Sequence, residues 1–218
     1  MTLAIFDLDE TLIDIDSDHA WGEFICDEGM VDAEEHRRKN NGFYADYQAG
    51  QLDVTAYLAF ACRVLTQYSL DELHRAREKF VTDRIVSHLL PRAKNLIARH
   101  RSAGHELLII TSTIEFITRP IADRLGIDTL IAPMPEMIDG RYTGAITGTP
   151  SFGPGKVTCL AGWLRANPGF SMADSYFYSD SRNDLPLLEA VEHPVAVNPD
   201  PVLAGIAKER GWTVLSLR

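Results

Sequence analysis

The sequence predicts an α/β fold, a doubly wound parallel sheet carrying an inserted α-helical cap, and three observations predict it. Short apolar runs end abruptly in polar clusters, helical periodicity separates those runs, and residues 15–87 read as helices with no buried strand among them. Continuous apolar runs of four or five residues are the pattern of strands covered on both faces. Strands that alternate with helices build parallel sheets.

The first strand is Leu3-Ala4-Ile5-Phe6, which stops at Asp7-Leu8-Asp9-Glu10-Thr11. Next come the cap helices, among them Leu52 to Leu65 and Leu70 to Val86. A helix from Leu89 to Arg101 leads into a second strand, Glu106-Leu107-Leu108-Ile109-Ile110, which stops at Thr111-Ser112-Thr113. The following helix, Ile114 to Leu125, ends at Gly126, as helices commonly do. Asp139-Gly140, between short β-like runs at Met137-Ile138 and Tyr142 to Ile146, signals a small hairpin. Tyr176-Phe177-Tyr178 then stops at Ser179-Asp180-Ser181, Pro194-Val195-Ala196-Val197 stops at Asn198-Pro199-Asp200, and Thr213-Val214-Leu215 is a last edge strand. The expected division is a catalytic core of residues 1–14 and 88–218 and a cap of residues 15–87.

With 218 residues, 45% of them hydrophobic, the chain can bury a real core, which excludes disordered and fibrous classes. Its 21 basic and 31 acidic residues leave a formal charge of −10, which repels nucleic acid and acidic membranes. The densest basic run, His36-Arg37-Arg38-Lys39, follows two glutamates and reads as a solvated helix face. Cys26, Cys62 and Cys159 form neither a C-x-x-C pair nor an even framework, so reduced thiols in a cytoplasm are expected. The opening residues reach an acidic cluster at once, and no apolar run approaches the ~20 residues of a membrane span, so neither an export signal nor a span is expected.

Carboxylates at the C-terminal ends of parallel strands lie where ligands bind in such sheets. Asp7, Asp9, Thr11 and Asp18 also occupy positions 1, 3, 5 and 12 of a calcium loop, but Leu12 stands where that loop turns on Gly, and Asp18 is shorter than its closing Glu. Taken together, Asp7-x-Asp9-x-Thr11, Thr111, Lys156 and Asp180-x-x-x-Asp184 resemble the haloacid dehalogenase superfamily, in its phosphoserine-phosphatase-like subfamily with a helical cap inserted after the first motif. The longest local match is Tyr178 to Leu188, where Ser179 replaces the usual Gly, a small-for-small exchange expected to leave the site intact.

That resemblance implies a Mg²⁺-dependent phosphatase acting on a small-molecule phosphate ester as a monomer or homodimer. The implied metal set is the Asp7 and Asp180 side chains and the Asp9 backbone carbonyl, with Asp184 a ligand or a neighbour of the ligands. Asp7 is then the nucleophile that becomes an aspartyl-phosphate, and Asp9 the acid and base. Thr111, Ser112 and Lys156 hold phosphate oxygens. The chemistry agrees: two acids repel a phosphate dianion unless a divalent cation lies among them, and Mg²⁺ prefers oxygen ligands. Taken singly, Lys156 could begin an exposed helix, Thr111 could cap the helix from Ile114, and Asp184 could cap the helix from Leu185.

Phosphoserine phosphatases of this family pair an acid after the first motif with a cap arginine. Asp16 stands for the acid, whereas the arginine position falls on Ala61, with Arg63 the nearby candidate. The run Asp14, Asp16, Asp18, Glu23 suits an amine-bearing ester such as histidinol phosphate, or merely caps and solvates the first cap helix. Arg37, Arg38, Tyr44 and Tyr47 are further candidates to face the crevice. Three other readings stay open: a phosphoserine phosphatase, a phosphotransferase or mutase of the same superfamily, and a regulatory or binding module that accepts phosphate on Asp7.

Overall fold

The computed structural model describes residues 2–218. Its elements run β1 (Leu3–Phe6), α1 (Ser17–Asp27), α2 (Ala33–Ala49), α3 (Val54–Arg63), α4 (Leu70–Phe80), α5 (Pro91–Ser102), β2 (Glu106–Ile110), α6 (Glu115–Leu125), β3 (Thr129–Ile131), β4 (Met134–Ile138), β5 (Arg141–Thr147), α7 (Pro154–Ala166), β6 (Tyr176–Ser179), α8 (Leu185–Leu188), β7 (His193–Val197), α9 (Pro201–Arg210) and β8 (Thr213–Leu215). Six strands form one sheet in the order β3-β2-β1-β6-β7-β8, all neighbours parallel. The chain winds outward from β1 to β3, then crosses to the other side of β1 at β6. That reversal between β1 and β6 opens a crevice beyond their C-terminal ends, where Asp7 and Asp180 follow.

Alternate residues of β1 face opposite layers: Leu3 and Ile5 join α7, α8 and α9, while Ala4 and Phe6 join α5 and α6. The second layer runs on into the insertion without a break. Phe116 of α6 meets the Trp21 ring at 5.8 Å, and Trp21 in turn meets Phe24 and Phe80. α1 and α4 are thereby fixed to the sheet by apolar packing.

Local chemistry explains the helix boundaries of the insertion. Asp16, Asp32 and Asp53 each accept a backbone N–H at the start of α1, α2 and α3, Ser69 and Glu72 close a capping box on α4, and α2 ends at a left-handed Gly50. The chain leaves and re-enters the core through a neck, where Ile13 pairs with Leu89 and the Asp14 N–H donates to the His88 carbonyl at 2.9 Å.

Three elements differ from the sequence expectation. The helix expected from Leu70 to Val86 stops at Phe80 and widens into a π turn over Val81–Ile85 and a 3-10 turn over Val86–His88. β3 has three half-buried residues at the sheet edge, too few to show a period. The helix expected from Leu185 to Val191 shrinks to four residues. The hairpin forms as expected, with Asp139 and Gly140 both at positive φ (49° and 74°), the backbone of a two-residue type I′ turn.

Candidate active site

Asp7 follows β1 directly, its N–H donating to the Tyr178 carbonyl at 2.9 Å. Lys156, in the first turn of α7, reaches back so that Nζ donates to Asp7 Oδ1 and Asp184 Oδ2, both at 2.8 Å. All three side chains are buried. Burial raises the Asp7 carboxyl to about 7 against the pull of Lys156, with Asp184 and Asp9 adding to the rise. Burial alone would favour a neutral Lys156 amine, but Asp184 and Asp7 outweigh it and hold its pKa above the ordinary lysine value.

Asp180 Oδ1 accepts from the Thr11 hydroxyl at 3.1 Å, and the Asp180 N–H donates back to the same Oγ1 at 3.1 Å. Burial, followed by Asp7 and Asp184, pushes the Asp180 carboxyl well above the usual range. Asp184 stands at the N-cap position of α8, but its side chain makes no cap bond there and its Oδ2 also accepts from the Ser179 hydroxyl at 2.7 Å. Ser179 is therefore more than a substitute for Gly: its hydroxyl steadies the carboxylate that holds Lys156.

Asp9 turns the other way. Its Oδ1 accepts from the Ser17 N–H at 2.7 Å, at the start of α1, and its Oδ2 from the Thr113 hydroxyl at 2.9 Å, with Thr111 Oγ1 at 3.5 Å. Burial and then Asp16 raise its carboxyl to about 7, while the Ser17 and Thr113 hydrogen bonds oppose the rise. Such a group can hold or release a proton near neutrality. Thr111 accepts from the Thr113 N–H, and its carbonyl accepts from Ser151 Oγ, whose own carbonyl accepts from Ser112 Oγ. α6 is capped at Ile114 with no side-chain bond, so Thr111 is not its cap.

These groups open into a pocket between the core and the insertion. Asp7, Asp9, Thr111, Ser112 and Thr113 form its core side, and Asp16, Asp18, His19, Asn40, Phe43, Tyr44, Tyr47, Leu52 and Tyr57 complete it from the insertion. Among the described residues no lysine or arginine lines it, while the adjoining hollow that shares Asp9, Asp16, Tyr44 and Tyr47 carries Arg182 and Arg218. Asp16 and Asp18 are both raised to about 7, each chiefly by burial, with Asp18 adding to the rise at Asp16 and the Tyr57 hydroxyl opposing it at Asp18.

The acidic run of the sequence divides here. Asp16 and Asp18 line the pocket, Asp16 also capping α1, while Asp14 pairs with Arg218 and Glu23 with Arg37. Arg63 is a correction to the sequence reading: it lies exposed at the end of α3 beside His36 and Lys39, in a separate hollow away from Asp7. Helical rotation explains this, because Leu58 and Cys62 take the inward face of α3. Arg37 bonds Glu23 and Asp27, and Arg38 is exposed, so neither lines the pocket. Thr113 and Asn40 were not singled out as site residues in the sequence, and Ser179 was read there only as a replacement for Gly; for Thr113 and Ser179, position at the end of a core strand was the available signal.

Among the described residues, no three His, Cys, Asp or Glu side chains gather closely enough to hold a metal alone. The donor set still fits Mg²⁺, which accepts two carboxylates, a backbone oxygen and water. Asp7 and Asp184 raise the proton affinity of Asp180, as Asp184 and Asp9 raise that of Asp7, and the same crowding of carboxylates favours a divalent cation.

The family model for haloacid dehalogenase-like hydrolases matches residues 4–189. The chain belongs to that family. This hydrolase is 48% identical to the histidinol-phosphatase of Neisseria meningitidis serogroup C over 219 residues, covering 99% of each. It is also similar to a crystal structure of a protein of unknown function from Bordetella pertussis Tohama I, at 44% identity and TM-score 0.93 over the whole of both chains. A phospho-aspartyl intermediate analogue of phosphoserine phosphatase shares the fold, with TM-score 0.72 at 16% identity, covering 100% of this chain and 93% of that one. The haloacid dehalogenase-like hydrolase described here is a phosphatase with a cap. No helix among its described residues is long and apolar enough to cross a membrane.

Proposed function

We propose that this phosphatase is Mg²⁺-dependent and hydrolyses histidinol phosphate, an ester carrying an amine and an imidazole, through a phosphorylated Asp7. The observation that carries the reading is the wall of the pocket, where Asp16 and Asp18 stand among aromatic side chains with no lysine or arginine. A cationic substrate finds its counter-charge there, whereas the lining of this pocket offers the carboxylate of phosphoserine no cation. The name of the neisserial relative points the same way.

In this reading residues 1–14 and 88–218 are the catalytic core and residues 15–87 the cap that closes over it. The unpaired thiols suit a cytoplasmic enzyme. A magnesium ion held by the Asp7 and Asp180 carboxylates and the Asp9 backbone carbonyl, beside Asp184, would offset the charge that a phosphate dianion meets. An Asp7 oxygen attacks phosphorus as the ester oxygen departs. Asp9, held by Ser17 and Thr113, protonates that oxygen and later takes a proton from the water that hydrolyses the acyl phosphate. Lys156, Thr111 and Ser112 bind the phosphate oxygens on which charge accumulates.

The test is a screen of phosphorylated metabolites with Mg²⁺ and after chelation. Histidinol phosphate should give the highest kcat/KM, chelation should abolish turnover, and Asp7→Asn should be inactive on every ester. Preference for phosphoserine, or full activity without divalent cations, would refute the proposal.

A further inference from the structure

α2 is 17 residues long, and Asn40 is its one buried side chain, 3% exposed. A helix packed on a protein ordinarily turns apolar side chains inward. Here it turns in an amide, and the neighbouring helix makes room for it: a Cβ at Gly22 of α1 would stand 2.4 Å from Asn40 Nδ2. That nitrogen donates to the His19 carbonyl at 3.0 Å, which fixes the amide's orientation. Asn40 Oδ1 receives no donor among the described residues, and Asn40 lines the pocket with Asp18 and Tyr57. Oδ1 is not among the side-chain atoms closed off from water without a partner, so its lone pairs are open to a donor that a ligand in the pocket would bring.

We propose that Asn40 is a specificity-determining residue whose Oδ1 accepts the ring N–H of the substrate's imidazole. This deepens the reading above and rests on it: the amino group falls to Asp16, and Asn40, with Asp18 and Tyr57, reads the ring. Phe43 and Tyr44 supply apolar and aromatic contact for the heterocycle. An imidazole carries an N–H donor whether neutral or protonated, so the pairing survives its titration. An amine ester lacking the ring leaves Oδ1 unpaired.

The experiment compares kcat/KM for histidinol phosphate and O-phosphoethanolamine, which has the amine and the phosphate without the ring, in the wild type, Asn40→Ala and Asn40→Ser, with Mg²⁺ present. Each variant should lower the ratio of the two values by about ten- to a hundredfold. Inhibition by free histidinol should weaken in parallel, while inhibition by inorganic phosphate should not. Asn40→Ser keeps a small polar group near His19 and serves if the alanine variant does not fold. A purely packing role would depress both substrates together and leave the ratio unmoved, which would overturn the proposal alone. A wild type that shows no preference for histidinol phosphate would instead overturn the substrate reading, and this inference with it.

Discussion

Lys156 Nζ lies 2.8 Å from Asp184 Oδ2, with both side chains shut away from water. The contact joins α7 to the loop after β6. Because the same ammonium also reaches Asp7, one cation is shared between two carboxylates and is already aimed at the proposed nucleophile.

Lys156→Ala should therefore damage folding and turnover together. Removing one partner of a buried ion pair leaves uncompensated charge and costs about 3–5 kcal/mol. Loss of an ammonium from the phosphate site should cut kcat by about 10²–10³. Denaturant unfolding and steady-state kinetics at saturating Mg²⁺ measure the two effects, and a variant as stable as the wild type would contradict the first.

Asp9→Asn separates proton transfer from phosphoryl transfer. For an alkyl phosphate, whose leaving oxygen needs a proton, kcat should fall by about 10²–10⁴. For p-nitrophenyl phosphate, whose leaving group departs as a stable anion, the loss should be much smaller. Equal losses on both esters would remove Asp9 from the role of acid.

Gly155 precedes Lys156 and has no room for a side chain: a Cβ would stand 2.0 Å from the Pro150 carbonyl oxygen. Backbone cannot swing aside as a side chain can. Gly155→Ala should destabilise the fold by about 1–3 kcal/mol. It should also lower kcat, because the first turn of α7 carries Lys156. Thermal unfolding read beside kcat checks both, and an unchanged melting temperature would show that the turn relaxes freely.

His100 offers a pH test away from the site. Its Nε2 lies 2.7 Å from the Tyr178 hydroxyl and its Nδ1 2.8 Å from His105 Nδ1. Burial, with His105 and Arg99 adding to it, lowers its pKa from 6.5 to about 4. Between those values the unfolded chain binds the proton that the native chain refuses, so this contribution to stability is complete above 6.5 and is lost as pH falls toward 4. His100→Gln should flatten the dependence of unfolding free energy on pH across that window, and an unchanged slope would count against the assignment.

Residues 15–87 were legible as helices because they hold no buried strand-like run, and the structure adds the aspartate and serine caps that set the helix starts. The break after Phe80 was not, since a widened turn leaves no mark on apolar spacing. Arg63 looked suitable on linear distance from the expected arginine position, yet the two-residue step from Ala61 to Arg63 turns it to the outside of α3.

By itself the sequence determined five of the six sheet strands, the order in which they alternate with helices, and the acids and hydroxyls at their ends, because each of these depends on neighbours a few residues apart. Tertiary structure alone decided what each acid faces. Asp9 meets Thr113 across 104 positions, Lys156 meets Asp184 across 28, and Asn40 enters the pocket only because Gly22 on another helix lacks a side chain. Pairings of that kind depend on how helices and strands pack, and packing distance leaves no periodic trace along the chain.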